Sequence, residues 1–559
     1  MKKIAMLAAV LPALCCCGAS GDVITAHSVT TNGVEVRWFE EMVPMKDGTR
    51  LYTYGVLPPE GEKCGIVFLR TPYVEEKPVD MPAYAYEQRG AIARGYAYVR
   101  QHVRGTGMSE GDWIPYEDER ADGLAMLEWM RRLPYYNGEI FLNGGSYLTS
   151  VHWSYLDTNP PDVKGAVLSV QDVDRYNVVY RNGFFKIGLH GGWFVSGYKK
   201  KNKSLCRDKS VTLSDFPLVA FSRRYWGEDV PAFDNVLRHP RPDDPFWRSH
   251  EPGSGVDYLN ALNGSTMPIL LRTSFYDIYT DGLCEMWRGM SSARRANCAF
   301  LIDACDHSGR PAGWTKGTRA EFPDGARADE GVSELDWFDY CRTGRPAAKA
   351  PPGRVRYYAL WENEWKEDAE LADGARELRL PLGEGARTWT YDPKRRAPSF
   401  PGSGGICFGG MQLQKEPNFR DDVVSFVLPP MEGQVDVRGR MTAELAVSSD
   451  CEDTCFYVRV SVRKDDGKWY LLRDDITSLS FAGGKYVPGT ERKLAFCFAD
   501  HAFRLEKGDV LRVDVASACG QFAPHPNVAG DAFACAEPKV AHNTVFPERS
   551  FLVLRAIGK

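Results

Sequence analysis

The hydrophobic positions of this chain change their spacing twice, and each change marks a change of architecture. From residue 34, "VEVRWFEEMVPMKDGTRLYTYGVLP" alternates apolar and polar residues about Asp47-Gly48, which predicts two antiparallel strands joined by a tight turn. "CGIVFLRTPY" and "YAYVRQHVRG" follow as short apolar runs ending in turn residues, the pattern of buried strands. Between them "AYEQRGAIARG" predicts a helix closed by Gly95. "DERADGLAMLEWMRRLP" spaces Leu124, Leu127, Met130 and Leu133 along one helical face, with Pro134 beyond its end. Four more strand-like runs come next: "EIFLNGG", "VKGAVLSV", "MPILLRTSFYD" and "CAFLIDACDH". Strands alternating with helices predict an α/β fold, a mostly parallel sheet covered on both faces.

Two stretches break that rhythm. Residues 172–263 are aromatic, polar and proline-rich, with "YKKKNKS" in their middle, and are too long for a loop. They predict a largely helical cap inserted between the first part of the α/β domain, residues 21–171, and its second part, residues 264–345. The lysine run reads as a solvated surface. Near residue 345 "GRPAAKAPPGRV" is a proline- and glycine-rich connector. Beyond it, over residues 346–559, alternating runs such as "VRYYALWENEW", "MTAELAVSS", "CFYVRVSVRK" and "DVLRVDVASA" predict an antiparallel β-sandwich of jelly-roll type.

Composition narrows what such a protein handles. A chain of 559 residues exceeds one compact core, in keeping with several domains. A formal charge of −5 leaves no basic footprint for nucleic acid. No apolar stretch after the first twenty residues is long enough to span a bilayer. Residues 1–20, "MKKIAMLAAVLPALCCCGAS", read as an export signal cleaved near Ala19, which would place the mature chain in a periplasm or outside the cell. Cys15, Cys16 and Cys17 raise a lipid anchor, but none has the small preceding residue expected of one. The other cysteines form no CxxC pair, so no structural zinc site is expected. Cys451 with Cys455, and Cys519 with Cys535, are either disulfide candidates or small buried hydrophobes.

Three residues carry candidate chemistry. Acyl transfer by serine needs a hydroxyl, an imidazole to take its proton, a carboxylate to orient that ring, and donors for the oxyanion. In doubly wound hydrolases the three side chains appear in the order Ser, Asp or Glu, His, each where a strand ends. Ser146 follows "EIFLNGG", Asp277 follows "PILLRTSFY" and His307 follows "AFLIDACD". Each has a plainer reading: a helix cap for Ser146, a turn acid for Asp277, a structural histidine for His307. His102 also follows a strand and competes as base, but it precedes the serine.

The blocks "EMVPMKDGTRLYTYGVLP", "RTPY", the run from Gly95 to Ser150, "SFYDIYTDG" and "CDHSG" occur in sequence order. Together they resemble the CocE/NonD hydrolases, the family of X-Pro dipeptidyl-peptidases, cocaine esterase, α-amino-acid ester hydrolases and glutaryl-cephalosporin acylases. The resemblance implies an α/β-hydrolase domain with a helical cap and a C-terminal jelly roll, galactose-binding-like in kind. It implies Ser146 as nucleophile, His307 as general base and then acid, and Asp277 as its orienting carboxylate. It implies an oxyanion hole from the backbone N–H of Tyr147 and the phenol of Tyr73, with no metal and no organic cofactor. The family's elbow resembles G-x-S-Y-x-G, so Leu148 is expected and Thr149, in place of glycine, is the departure. His102 in "QHVRG" and Asp306 in "DACDH" depart from the family too; a carboxylate beside His307 would raise its pKa if the side chains meet.

The expected substrate is a small ester, an amide or a short peptide, hydrolysed through an acyl-enzyme. Alternatives are an Xaa-Pro dipeptidyl-peptidase or a β-lactam acylase, for which Asp208 and Asp215 are candidates to hold an amine. A further alternative is an inert protein whose sandwich binds glycan or cell-surface material.

Overall fold

A computed structural model describes residues 23–201, 208, 210–250, 262–307, 309, 322, 332–347, 349–402 and 411–558. The expected export segment and Cys15–Cys17 lie outside them. Strands β1 (His27–Thr31), β2 (Val34–Pro44) and β3 (Arg50–Leu57) form an antiparallel edge, the last two being the hairpin expected around Asp47-Gly48. β4 (Cys64–Thr71) follows. Where one helix was expected, two short ones, α1 (Met81–Glu87) and α2 (Arg89–Ala93), meet at Gln88. β5 (Tyr96–His102), α3 (Glu119–Met130), β6 (Tyr136–Gly145), α4 (Tyr147–Leu156) and β7 (Val163–Ser169) complete the first part.

The segment between β7 and the next long strand is mostly helical. It contains α5 (Arg175–Val179), a two-strand ribbon of β8 (Tyr180–Arg181) and β9 (Phe184–Phe185), then α6 (Gly192–Lys201), α7 (Phe221–Trp226), α8 (Pro231–Leu237) and α9 (Pro245–His250). Tyr176, Phe185, Phe194, Trp226, Phe233 and Trp247 give this insert an aromatic core of its own. The sheet resumes with β10 (Ile269–Tyr276) and β11 (Ala299–Asp306), then β12 (Val355–Ala359) and β13 (Glu364–Asp368). Its order is β1-β2-β3-β5-β4-β6-β7-β10-β11-β12-β13, parallel from β5 to β12.

β4 is buried at every position, which requires cover on both faces. Ile66 and Phe68 join one core with Met126, Trp129 and Trp153 from α3 and α4. Val67 and Leu69 join another with Trp337 and Phe338 on the opposite face. β12 and β13 fall beyond residue 345, where the sequence placed the start of the sandwich. They continue the large sheet because Tyr357 and Tyr358 are both buried, so the strand needs cover on two faces rather than one. From Arg376 to Ile557 the chain forms two antiparallel sheets of seven and four strands, packed as a β-sandwich around Val437, Val447, Phe456 and Val513. Neither candidate pair is joined by a disulfide: Cys455 donates to the Ser517 carbonyl at 2.6 Å while Cys451 points to Val540.

Candidate active site

β6 ends in two glycines and then turns into α4 at Ser146, whose backbone is held at φ 57°, ψ −130°. A residue with a side chain adopts this region at a cost, which persists where the surroundings enforce it. Here they do. The N–H of Ser146 donates to the Ser169 carbonyl on β7 at 3.0 Å. A Cβ on Gly144 would stand 2.3 Å from the Leu148 carbonyl oxygen, so the bend closes tightly enough to exclude one. Thr149, the departure from the family's elbow, fastens it. Its fully buried hydroxyl lies 2.7 Å from the Gly144 carbonyl and 2.9 Å from that of Ser169, and it accepts the Ser169 N–H at 3.1 Å.

Asp277 and His307 are brought together by strand register. β10 and β11 run parallel, slip between Ser274 and Tyr276, and pair Tyr276 with Asp306. The next residue on each strand is therefore Asp277 and His307, side by side. The His307 Nδ1 lies 2.6 Å from Asp277 Oδ2, and its Nε2 lies 3.0 Å from Ser146 Oγ. Asp277 Oδ1 accepts the Tyr279 N–H at 2.5 Å, which fixes the carboxylate from its other side. A carboxylate on Nδ1 favours the proton there and leaves the Nε2 lone pair facing the hydroxyl. Such an arrangement can move a proton off serine and return it to a leaving group.

His102 takes no part in it. It ends β5, two strands from β6, accepts the Met108 N–H through Nδ1 at 3.3 Å, and packs edge-on against Tyr52 and Tyr54. Burial, with Arg100 adding to it, pulls its pKa to about 4. Asp208 and Asp215 also lie apart, on the surface, holding turns through Ser210 and Thr212.

Residues 47–309 match the family model described as X-Pro dipeptidyl-peptidase (S15 family), and residues 347–548 match X-Pro dipeptidyl-peptidase C-terminal non-catalytic domain. The chain is 24% identical over 492 residues to cocaine esterase of Rhodococcus sp. (strain MB1 Bresler), covering 79% of this chain and 82% of that one. It belongs to the CocE/NonD hydrolases. The fold agrees with two solved structures. An α-amino acid ester hydrolase superposes with a TM-score of 0.77 at 20% identity, over 93% of this chain and 96% of that one. A CocE/NonD family hydrolase from Staphylococcus aureus superposes with a TM-score of 0.65 at 15% identity, over 96% and 98%. This chain is thus a serine hydrolase, and the non-catalytic reading falls away.

Around the elbow of this hydrolase lies a network with no signature in the sequence. Arg70 on β4 is fully buried and pairs with Glu119 of α3 at 2.8 Å and Asp122 at 3.6 Å. Glu119 accepts the Tyr147 hydroxyl at 2.7 Å, and that phenol oxygen accepts the Tyr116 N–H at 3.0 Å. The side chain of Tyr147 therefore anchors the start of α4, while its N–H, in the first turn, has no acceptor within the helix. Tyr73 lies on the same side: half exposed, it accepts the indole N–H of Trp193 at 3.3 Å, and Trp193 packs on the Tyr147 ring at 5.5 Å. Charged residues also clamp the insert to its neighbours. Arg181 bonds to Asp281 at 2.6 Å and to Asp475 of the sandwich at 2.7 Å, beside a cavity of about 330 Å³ that reaches Asp277.

The electrostatics of His307 set a pH dependence. Burial opposes charge on the ring, but the carboxylates of Asp277 and Asp306 outweigh it and hold the imidazole above its ordinary value. If His307 is the base it must be neutral to accept a proton, and kcat/KM should then rise with pH through that elevated pKa. Asp306→Asn removes one carboxylate and should move this acid limb to lower pH. A pH–rate profile of the two proteins measures the shift; superimposable limbs would show that Asp306 has no such influence.

Proposed function

We propose that this chain is an exported acyl esterase that opens its substrate at Ser146 through a covalent acyl-enzyme. The hydroxyl attacks the carbonyl while His307 Nε2 takes its proton, and Asp277 steadies the imidazolium that forms. His307 then protonates the leaving alcohol or amine. Water, deprotonated by the same ring, releases the acid. The developing oxyanion is held by the Tyr147 N–H at the start of α4 and by the Tyr73 phenol, whose donation is strengthened by the bond it accepts from Trp193. One observation carries the reading: hydroxyl, imidazole and carboxylate form one hydrogen-bonded chain at the carboxyl ends of β6, β11 and β10.

A fluorophosphonate probe tests it directly, because it labels a serine only when that serine is activated. Labelling that occurs elsewhere, or not at all, would remove Ser146 from the mechanism. Tyr73→Phe keeps the ring and deletes the donor. It should lower kcat by about 10- to 1000-fold with a much smaller change in KM; an unchanged kcat would leave Tyr73 with a packing role. The runner-up activities are Xaa-Pro dipeptidyl-peptidase, favoured by the description of the matched family, and β-lactam side-chain acylase. Comparing short acyl esters with Xaa-Pro anilides separates the first of these from an esterase.

A further inference from the structure

Arg175 opens α5, at the end of the loop that leaves the carboxyl end of β7. In the sheet β7 lies between β6, which leads to Ser146, and β10, which leads to Asp277. Loops leaving the carboxyl ends of adjacent parallel strands converge on one region, so Arg175 comes up beside the hydrogen-bonded chain just described. Its guanidinium carbon sits 3.6 Å from the centre of the Tyr116 ring. That ring packs 4.8 Å from Tyr147, the residue after Ser146. Burial pulls the guanidinium below its ordinary pKa, opposed by the phenols of Tyr116, Tyr147 and Tyr279. The Tyr279 ring in turn lies 5.5 Å from His307. The cation thus packs on an aromatic ring from the serine side, and the Tyr279 phenol on the histidine side is near enough to act on its charge.

Its isolation sets it apart. Arg175 is 6% exposed, and its Nη1 is buried without a hydrogen-bond partner. The other buried arginines have acceptors: Arg70 has Glu119, Arg512 has Asp514, Arg438 has Glu362, and Arg294 has the Met267 carbonyl. No carboxylate among the described residues lies within ion-pairing distance of Arg175. The face of Tyr116 offsets part of the cost of burying the charge but supplies no acceptor in the guanidinium plane. A buried cation with neither an anion nor a hydrogen-bond acceptor is otherwise disfavoured strongly enough that an apolar side chain would serve the fold better.

Resting on the catalytic reading of Ser146, we infer that Arg175 is the specificity residue of this site and binds a carboxylate carried by the substrate. The planar fork of N–H donors matches the two oxygens of a carboxylate, and the enclosing rings exclude the water that would compete for it. The substrate class is an ester or amide bearing an acid close to the scissile bond. A substrate presenting an ammonium group at the same place is repelled, which weighs against acting at a free amino terminus.

Two matched pairs of esters test this on the full chain. One pair carries the acid in the acyl part: nitrophenyl monoesters of four- and five-carbon dicarboxylic acids against their methyl-capped forms. The other carries it in the leaving group: acetylated hydroxybenzoic acid against its methyl ester. Active enzyme is counted by fluorophosphonate titration, and kcat/KM is compared within each pair. The wild type should favour the acid-bearing member of one pair by about 10- to 100-fold, the size of a hydrogen-bonded charge contact. Which pair responds identifies the side of the scissile bond that holds the acid. Arg175→Met, which keeps an unbranched apolar stem, should bring that ratio to about one. The inference is overturned by a wild type without acid preference in either pair, a comparison that needs no variant. It is also overturned by a preference that survives in Arg175→Met. Absence of labelling in the wild type would remove the catalytic reading, and this inference with it.

Discussion

Ser146→Ala should yield a folded protein that neither reacts with a fluorophosphonate nor turns over an ester, with kcat reduced by about 10⁴- to 10⁶-fold. The size of the loss follows from the geometry. His307 lies 3.0 Å from the serine hydroxyl and 2.6 Å from Asp277, so under the proposed mechanism the three groups act as one unit, and removing the hydroxyl disables the others. Residual turnover would come from the oxyanion donors and from binding alone. Because Ser146 makes no side-chain capping bond to α4, loss of its hydroxyl should leave thermal unfolding within about 1 kcal/mol of the wild type. Circular dichroism and a melting curve check the fold, and ester hydrolysis checks the chemistry. Full turnover in this variant would end the proposal.

Gly144→Ala should be the most damaging single-methyl change in the elbow. Its new Cβ would stand 2.3 Å from the Leu148 carbonyl oxygen and 2.8 Å from the Thr149 nitrogen. Both are backbone atoms of the turn, so no side chain can rotate away, and α4 must shift as a body relative to β6. A destabilisation of about 2–4 kcal/mol is expected, with loss of probe labelling as Ser146 leaves its place opposite His307. Gly145→Ala is the internal control. A Cβ there meets its nearest neighbour, Val170, at 3.8 Å, an ordinary contact, so stability should change by less than about 1 kcal/mol. Differential scanning measurements on both variants test the contrast; equal melting temperatures would refute the account of the elbow.

Much of the fold was legible before any coordinates. Apolar runs such as "GIVFLR" and "AFLIDA" became β4 and β11, and the alternation about Asp47-Gly48 became the β2–β3 hairpin. These patterns are local, because burial on one face or two is written in the spacing of neighbouring residues. The order Ser146, Asp277, His307 was likewise visible, since each follows such a run. Other features were misread or invisible. Strands β12 and β13 looked like the start of the sandwich, because alternation does not say which sheet a strand joins. Thr149 looked only like a departure from the elbow pattern, because nothing nearby in sequence reveals that its hydroxyl would meet the carbonyls of Gly144 and Ser169. His102 and His307 both follow strands, and sequence order alone had to choose between them.

What the sequence by itself determined is the succession of elements, the change from α/β to all-β texture, and the residue types available for acyl transfer. Tertiary structure decided which of those residues meet. The slip between β10 and β11 sets Asp277 beside His307, and the position of β6 in the sheet brings Ser146 to the same ring. It also decided which buried charges are matched: Arg70 finds Glu119, whereas Arg175 finds only aromatic rings. The reason is physical. Helix and strand formation depend on neighbours a few positions apart, while contact between side chains 161 residues apart depends on register and packing across the whole sheet.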